Sequence, residues 1–454
     1  MNATGTNESP RIALLALLAY TISVYTGLGE RLDILSAIRH ELLMGVVLIA
    51  LSVWFVMDKP LSLQPYRHII LAIVLLFVSM LTQIPFAYDP QTAWVTFFDR
   101  IVKQAIFAFF IVALVRSPGQ MRWFMAAFVF SIFYVLQESM VGLITGSLVW
   151  YNQGIHRLHG AITLYRHPNG LSLIAVTILP FIINLFPVVR SRLLRLGMLG
   201  TVVMAIVAVV YTGSRAGYIG IIAVLFFWWF FSKHKMKGIL VGAVLATVVM
   251  IALPEQYKER FMSIGGQEKE GHSKDARILL MKDAWEIFQD NPGGVGVDCF
   301  ELVREDRYDR GQGTHNLYLQ VATHLGIQGF AIFLFFAGTM TWSLHQAVGR
   351  LDRLVERVAN TFRRARGQPR AHPALAGLGR DTRYMAAVAR ACRLYIVMLL
   401  VNGIFAHTLY LICWWFLAGM VIAVLSMTDE LEKGLAALQR RLTINGEQED
   451  ARLV

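Results

Sequence analysis

A chain of 454 residues is long enough for two or three soluble domains, but a hydrophobic content of 56%, a charged content of 16% and a mean hydropathy of +0.54 exclude that layout. Three cysteines, Cys299, Cys392 and Cys413, none in a C-x-x-C pair, exclude a disulfide framework and the usual cysteine-rich zinc sites. A net charge of +12 raises the question of nucleic acid, and the placement of the basic residues along the chain answers it.

Apolar stretches able to cross a hydrocarbon core of about 30 Å occur twelve times, near 12–29, 41–57, 69–86, 101–115, 122–146, 170–189, 196–211, 216–231, 236–253, 316–342, 394–406 and 408–427. The first leads to no small-residue cleavage site and reads as an uncleaved helix. With the N-terminus placed inside, the inner segments carry 26 of the 42 lysines and arginines, eleven of them between Arg350 and Arg393. The positive-inside rule therefore predicts both termini in the cytoplasm, and the basic surplus needs no nucleic acid. The chain reads as one membrane domain, 1–454, with an external insertion at 254–315 and a basic inner loop at 343–393, expected as a solvated linker touching anionic lipid head groups. Inside the insertion, Asp275 to Gln289 places Ile278, Met281, Trp285 and Phe288 on one helical face. That face either lies in the bilayer interface or packs on the tops of other helices. Asn291-Pro-Gly-Gly then ends the helix. Gly238-x-x-x-Gly242 is a weak helix-packing signal.

The chain has no phosphate loop, no dinucleotide-binding turn, no H-E-x-x-H and no D-x-D pair. Once topology explains most of the charge, the polar residues that stand out are external, basic and aromatic. Arg215, in Tyr211-Thr-Gly-Ser-Arg-Ala-Gly-Tyr218, sits between two spans with almost no loop around it, where an arginine is costly unless it meets an anion. Interfacial snorkelling is the plainer reading. The loop before it holds Arg157 and Arg166 with His156, His159 and His167, which lack the carboxylate or cysteine partners of a metal site. Arg100 and Lys103 flank an outer helix start. His315 in Thr314-His-Asn-Leu-Tyr-Leu-Gln320 stands at a helix N-terminus on the outer rim, where the dipole favours a neutral, base-competent imidazole, or where it serves as a cap.

His315-Asn316, nine residues, then Gly326-Ile-Gln-Gly329 resembles the histidine signature of the O-antigen ligase family. Arg277 to Trp285, the Pro292-Gly-Gly-Val-Gly296 turn and His315 to Gln320 resemble the broader ligase and polymerase domain. Looser forms of the motif occur in O-antigen polymerases and in protein O-oligosaccharyltransferases. The resemblance implies an all-α polytopic fold of about twelve transmembrane helices, GT-C-like, with one large periplasmic loop containing helices. It implies a bacterial inner-membrane enzyme that moves a glycan from undecaprenyl pyrophosphate to lipid A-core on the periplasmic face, with neither metal nor other cofactor. His315 is then the base, and Arg215 and Arg277 are the diphosphate ligands. Asn316 and Tyr318 are motif neighbours in the substrate site, while Arg157, Arg166, Arg100 and Lys103 are candidates from topology. The rival from another class, a transporter of the lipid-linked glycan, predicts repeated broken helices with polar residues near the midplane.

Overall fold

A computed structural model describes residues 8–62, 64–152, 154–232, 235–236, 254–262, 273–365 and 372–453. The helices that matter here are α1 (Arg11–Thr26), α2 (His40–Asp58), α3 (Arg67–Gln83), α4 (Pro90–Thr96), α5 (Lys103–Leu114), α6 (Pro118–Thr145), α7 (Pro168–Thr177), α8 (Leu179–Leu185), α9 (Arg192–Thr212), α10 (Arg215–Phe231), α11 (Glu255–Met262), α12 (Ser273–Asp290), α13 (Phe300–Tyr308), α14 (Leu317–Arg364), α15 (His372–Asn402) and α16 (Ile412–Leu453). Eight helical stretches among the described residues are long and apolar enough to cross a membrane, and α1 and α10 are shorter apolar helices. The chain is thus a polytopic membrane protein built almost wholly of helices. The expected span at 236–253, beyond its first residue, and the Gly238/Gly242 pair lie outside the described residues; every other expected span coincides with helix.

The centre of the bundle is α14, α15 and α16. In the most apolar windows of α15 and α16, 72% and 83% of residues are buried, against 22% for α2, which places α2 on the lipid-facing periphery. Trp414 and Phe416 of α16 anchor the interior, the first against Phe333 and the second stacked on Phe128. All three cysteines are buried and free.

Local chemistry sets the helix ends. Ser117, Ser191 and Ser214 each accept a backbone N–H of the following turn, and Pro118 supplies the favoured first position of α6. The expected span at 101–115 begins earlier than its hydropathy suggests. Asp89 caps Gln91 and Thr92 ahead of Pro90, and the chain stays helical through a π turn at Phe97–Val102 into α5.

Two further expectations change. The basic segment 343–393 is not a solvated linker: α14 runs on to Arg364 and α15 starts at His372, and Leu351, Leu354 and Val358 bury a stripe in the interface with Leu375, Leu378 and Met385. The arginines mask a helical periodicity, since they occupy the outer faces of helices whose apolar residues recur every three or four positions. On α12, the stripe of Ile278, Met281 and Trp285 is about half exposed, while Leu280, Ala284 and Ile287 on the adjacent face are buried. Phe288, the fourth residue of that face, is partly buried, so the face as a whole does not pack on other helices.

Between α6 and α7 lies a two-stranded hairpin, β1 (Val149–Asn152) with β2 (Ile155–Leu158), turning at Gly154 with φ 79°. Alternating residues around a glycine carry this signal in a stretch expected as a loop.

Candidate active site

The histidine motif has a structural reason for its spacing. Asn316 is the N-cap of α14, its side-chain oxygen accepting Leu319 N–H at 3.0 Å and its amide donating to Ile404 O at 3.0 Å. Two and a half turns later Gly326 breaks the helix with φ 69° and ψ −172°, leaving the Thr323 and His324 carbonyls without helical partners. The Pro292–Gly296 turn supplies them: Val295 N–H donates to Thr323 O at 2.8 Å and Gly296 N–H to His324 O at 3.0 Å, while Ile327 N–H returns to Pro292 O at 3.0 Å. A Cβ at Gly326 would stand 2.4 Å from Gly293 C, so both the positive φ and the close approach demand glycine. Glycine at 326 thus locks the turn after α12 onto the helix that His315 introduces.

His315 itself precedes the cap in the left-handed region, φ 45°. That conformation costs a non-glycine residue on the order of 1 kcal/mol or more, and such outliers gather at functional sites. Thr314, buried, holds the bend by donating from its hydroxyl to Asn316 O at 3.0 Å. The Gln312 amide nitrogen lies 3.0 Å from His315 Nε2, so this nitrogen accepts and the ring proton sits on Nδ1. Burial first, then the basic groups of His407, Arg277, His167 and Arg304, press the imidazole down to about 4. It is therefore neutral at pH 7.

Three histidines converge. His407, between α15 and α16, has its ring centroid 5.0 Å from that of His315. It stays open to solvent though enclosed on its flanks, as a crevice-lining side chain is, and burial and Arg100 lower its pKa against the opposing pull of Asp298. His167 caps α7, its Nδ1 accepting Asn169 N–H at 3.1 Å. Burial, Arg157 and His407 lower its pKa too. Among the described residues no group of three or more His, Cys, Asp or Glu is placed to hold a metal ion.

Each expected residue has a definite place. Arg277, on the inner flank of α12, is one of the cations acting on His315. Arg215 opens α10, whose next turn lies so close to α7 that a Cβ on Gly217 would fall 1.8 Å from Ser172 Oγ; Arg215 and His167 therefore sit on adjoining helix starts. Arg157 is 1% exposed and donates from Nε to Thr212 O at 2.7 Å and from Nη2 to Asn169 Oδ1 at 3.1 Å. It ties the turn before Arg215 to the start of α7. Arg100 lies in the π turn, 3.9 Å from Asp298. Arg166 is exposed beside His167. Lys103 is exposed and pairs with Asp99 at 2.8 Å, one turn away. Asn316 and Tyr318 hold the backbone: the Tyr318 hydroxyl donates to Leu400 O at 2.8 Å, joining α14 to α15.

Several residues of the site escaped the sequence reading. Asp283 on α12 receives Arg304 at 2.9 Å, both side chains at most 4% exposed, and Arg310 at 3.3 Å, so one carboxylate fastens α12, α13 and the loop that delivers His315. His324 Nδ1 accepts the Tyr410 hydroxyl at 2.7 Å and the Asp298 N–H at 3.0 Å, and Asp298 has φ 61°. These bonds fix Asp298 beneath His407. His407 was detectable, because it interrupts two apolar spans on the side of the membrane assigned to His315.

The arrangement is a crevice at one rim of the bundle with the neutral His315 imidazole beside Arg277 of α12 and Arg304 of α13, and with Arg157 and Arg100 acting on the neighbouring His167 and His407. It suits an anionic substrate whose neighbouring group must lose a proton. Residues 200–334 match the family model described as O-antigen ligase, a stretch that includes Arg215, Arg277, Asp283, His315 and Gly326. That match supports the ligase and polymerase superfamily and chemistry of that type. No curated protein matches the chain.

Proposed function

We propose that the protein is an O-antigen ligase, transferring a glycan from undecaprenyl pyrophosphate to a sugar hydroxyl of lipid A-core at the periplasmic face of a bacterial inner membrane. The observation that carries the reading is the neutral His315 enclosed by basic groups from separate elements, within the segment that matches the family. In the reaction the acceptor oxygen attacks the anomeric carbon of the donor. The bond from that carbon to the diphosphate oxygen breaks, the hydroxyl proton passes to His315 Nε2 in place of the Gln312 contact, and undecaprenyl diphosphate leaves as the anion. Arg215 and Arg277 neutralise the charge that grows on the leaving group. A bound diphosphate also offsets the cations that depress His315, so the base strengthens when the donor arrives.

Deleting the gene and separating lipopolysaccharide on a gel tests the assignment. Loss of every long-chain species with accumulation of lipid-linked polymer is the expected result. Attachment of single repeat units would mark a polymerase, and unchanged lipopolysaccharide with lost protein glycosylation would mark a protein O-oligosaccharyltransferase.

A further inference from the structure

A second anion-binding region lies at the opposite end of the helices that carry the site. α6, α9 and α15 lead at their C-terminal ends to the hairpin with Arg157, to Arg215 and to His407. Their N-terminal ends surround a cavity of about 1530 Å³. α9 alone spans 21 residues, so roughly 30 Å separates the two ends. The cavity exceeds the about 300–1,000 Å³ of ordinary small-molecule pockets.

Its lining is divided by chemistry. Arg122, Arg190, Arg195, Arg380, Arg383 and Arg441 face two carboxylates, Glu8 and Asp381. Arg122 pairs with Asp381, and Arg195 donates to Val189 O at 2.6 Å. Among the described residues Arg190, Arg380, Arg383 and Arg441 pair with no carboxylate. The starts of three helices add partial positive charge in the same place. Toward the membrane interior the wall becomes apolar, with Met125, Val129, Phe133 and Met198, and Phe130, Leu193 and Leu194 are exposed at its side. A water-soluble anion has no use for that wall, whereas a lipid fits both parts.

We propose that this cavity is a binding site for an anionic phospholipid, with the head-group phosphates on the arginines and the acyl chains along the apolar wall. Basic pockets between membrane helices recognise such lipids on the side where anionic lipids concentrate. The lipid fills the gap between α6, α9 and α15 that Arg190, Arg380, Arg383 and Arg441 line. The site is independent of the transfer reaction proposed above.

Native mass spectrometry of the full chain in detergent, with cardiolipin as probe and phosphatidylcholine and inorganic diphosphate as competitors, tests it. The wild-type protein should retain cardiolipin at least tenfold better than phosphatidylcholine, and diphosphate should not displace it. Substituting the exposed arginines together, Arg190→Gln, Arg380→Gln and Arg383→Gln, should lower retention at least tenfold. Gly197→Trp should do the same with every arginine in place: Gly197 lines the cavity, a Cβ there meets nothing within 4 Å, and replacing a mid-helix glycine does not weaken the helix. Equal retention of phosphatidylcholine by the wild type, displacement of the lipid by diphosphate, or undiminished cardiolipin binding in the two variants would each overturn the proposal. Full displacement by diphosphate would identify a free-phosphate site.

Discussion

Burial and the basic groups beside it keep the His315 imidazole neutral, and at about 4 the free protein holds a base that is available but weak. The sign of the pH dependence follows. With His315 as the proposed base, transfer needs the unprotonated ring, and activity should fall as pH drops through its pKa. In kcat/KM, which reports the free protein, the acidic limb should lie near 4. In kcat, which reports the donor complex, the diphosphate raises the imidazole and the limb should move to higher pH. Paired pH profiles of a purified transfer assay check this, and coincident limbs near 6.5 would contradict it. Arg215 should behave differently from the base. Arg215→Ala should weaken donor binding and transfer together, and Arg215→Lys should recover only part, since lysine keeps the charge and loses the two-pronged geometry. Steady-state KM and kcat for the donor measure both. Arg157 should act from one step further back, because it holds the turn ahead of Arg215 and the start of α7.

At the scale of elements, the site depends on how α12, α13 and the loop to α14 are fastened. Asp283 is the common partner of Arg304 and Arg310. Replacing it with alanine leaves Arg304 buried without its carboxylate, a change that typically costs about 3–5 kcal/mol. Asp283→Ala should therefore lower the thermal midpoint of the purified protein sharply and remove transfer with it; an unchanged midpoint would show that the pair does not hold the insertion. Much of this level was legible in the sequence. Long apolar runs, the Asn291-Pro-Gly-Gly break and the spacing from His315 to Gly326 are local patterns, and local patterns survive without tertiary knowledge. What was not legible depends on contacts between distant segments. Asp283 carries no local signal that pairs it with Arg304, and although His407 interrupts two apolar spans, only packing brings it to His315. The 343–393 helices were hidden because eleven arginines lower the hydropathy of a stretch whose apolar residues still keep helical spacing. Asn316 and Tyr318 show the converse: a motif residue can be there for the fold, as a cap and as an interhelical bond.

At the scale of the whole molecule the polar groups divide between two ends of one bundle, the histidine crevice at one and the arginine cavity at the other. From the lysine and arginine count we propose that the first faces the periplasm and the second the cytoplasm. A cysteine placed at an exposed position of α13 should react with a membrane-impermeant maleimide in intact spheroplasts, and one near Arg363 should not; the reverse labelling would put the crevice on the wrong side for its proposed substrates. The most direct measurement of the central claim is transfer by purified protein in liposomes, supplied with undecaprenyl-diphosphate-linked glycan and lipid A-core, compared for the wild type and His315→Ala. The account predicts product from the wild type and a loss of roughly 10² to 10⁴ in rate for the variant, the usual worth of a positioned general base, with donor affinity nearly unchanged. Full transfer by folded His315→Ala, or none by the wild type, would contradict it.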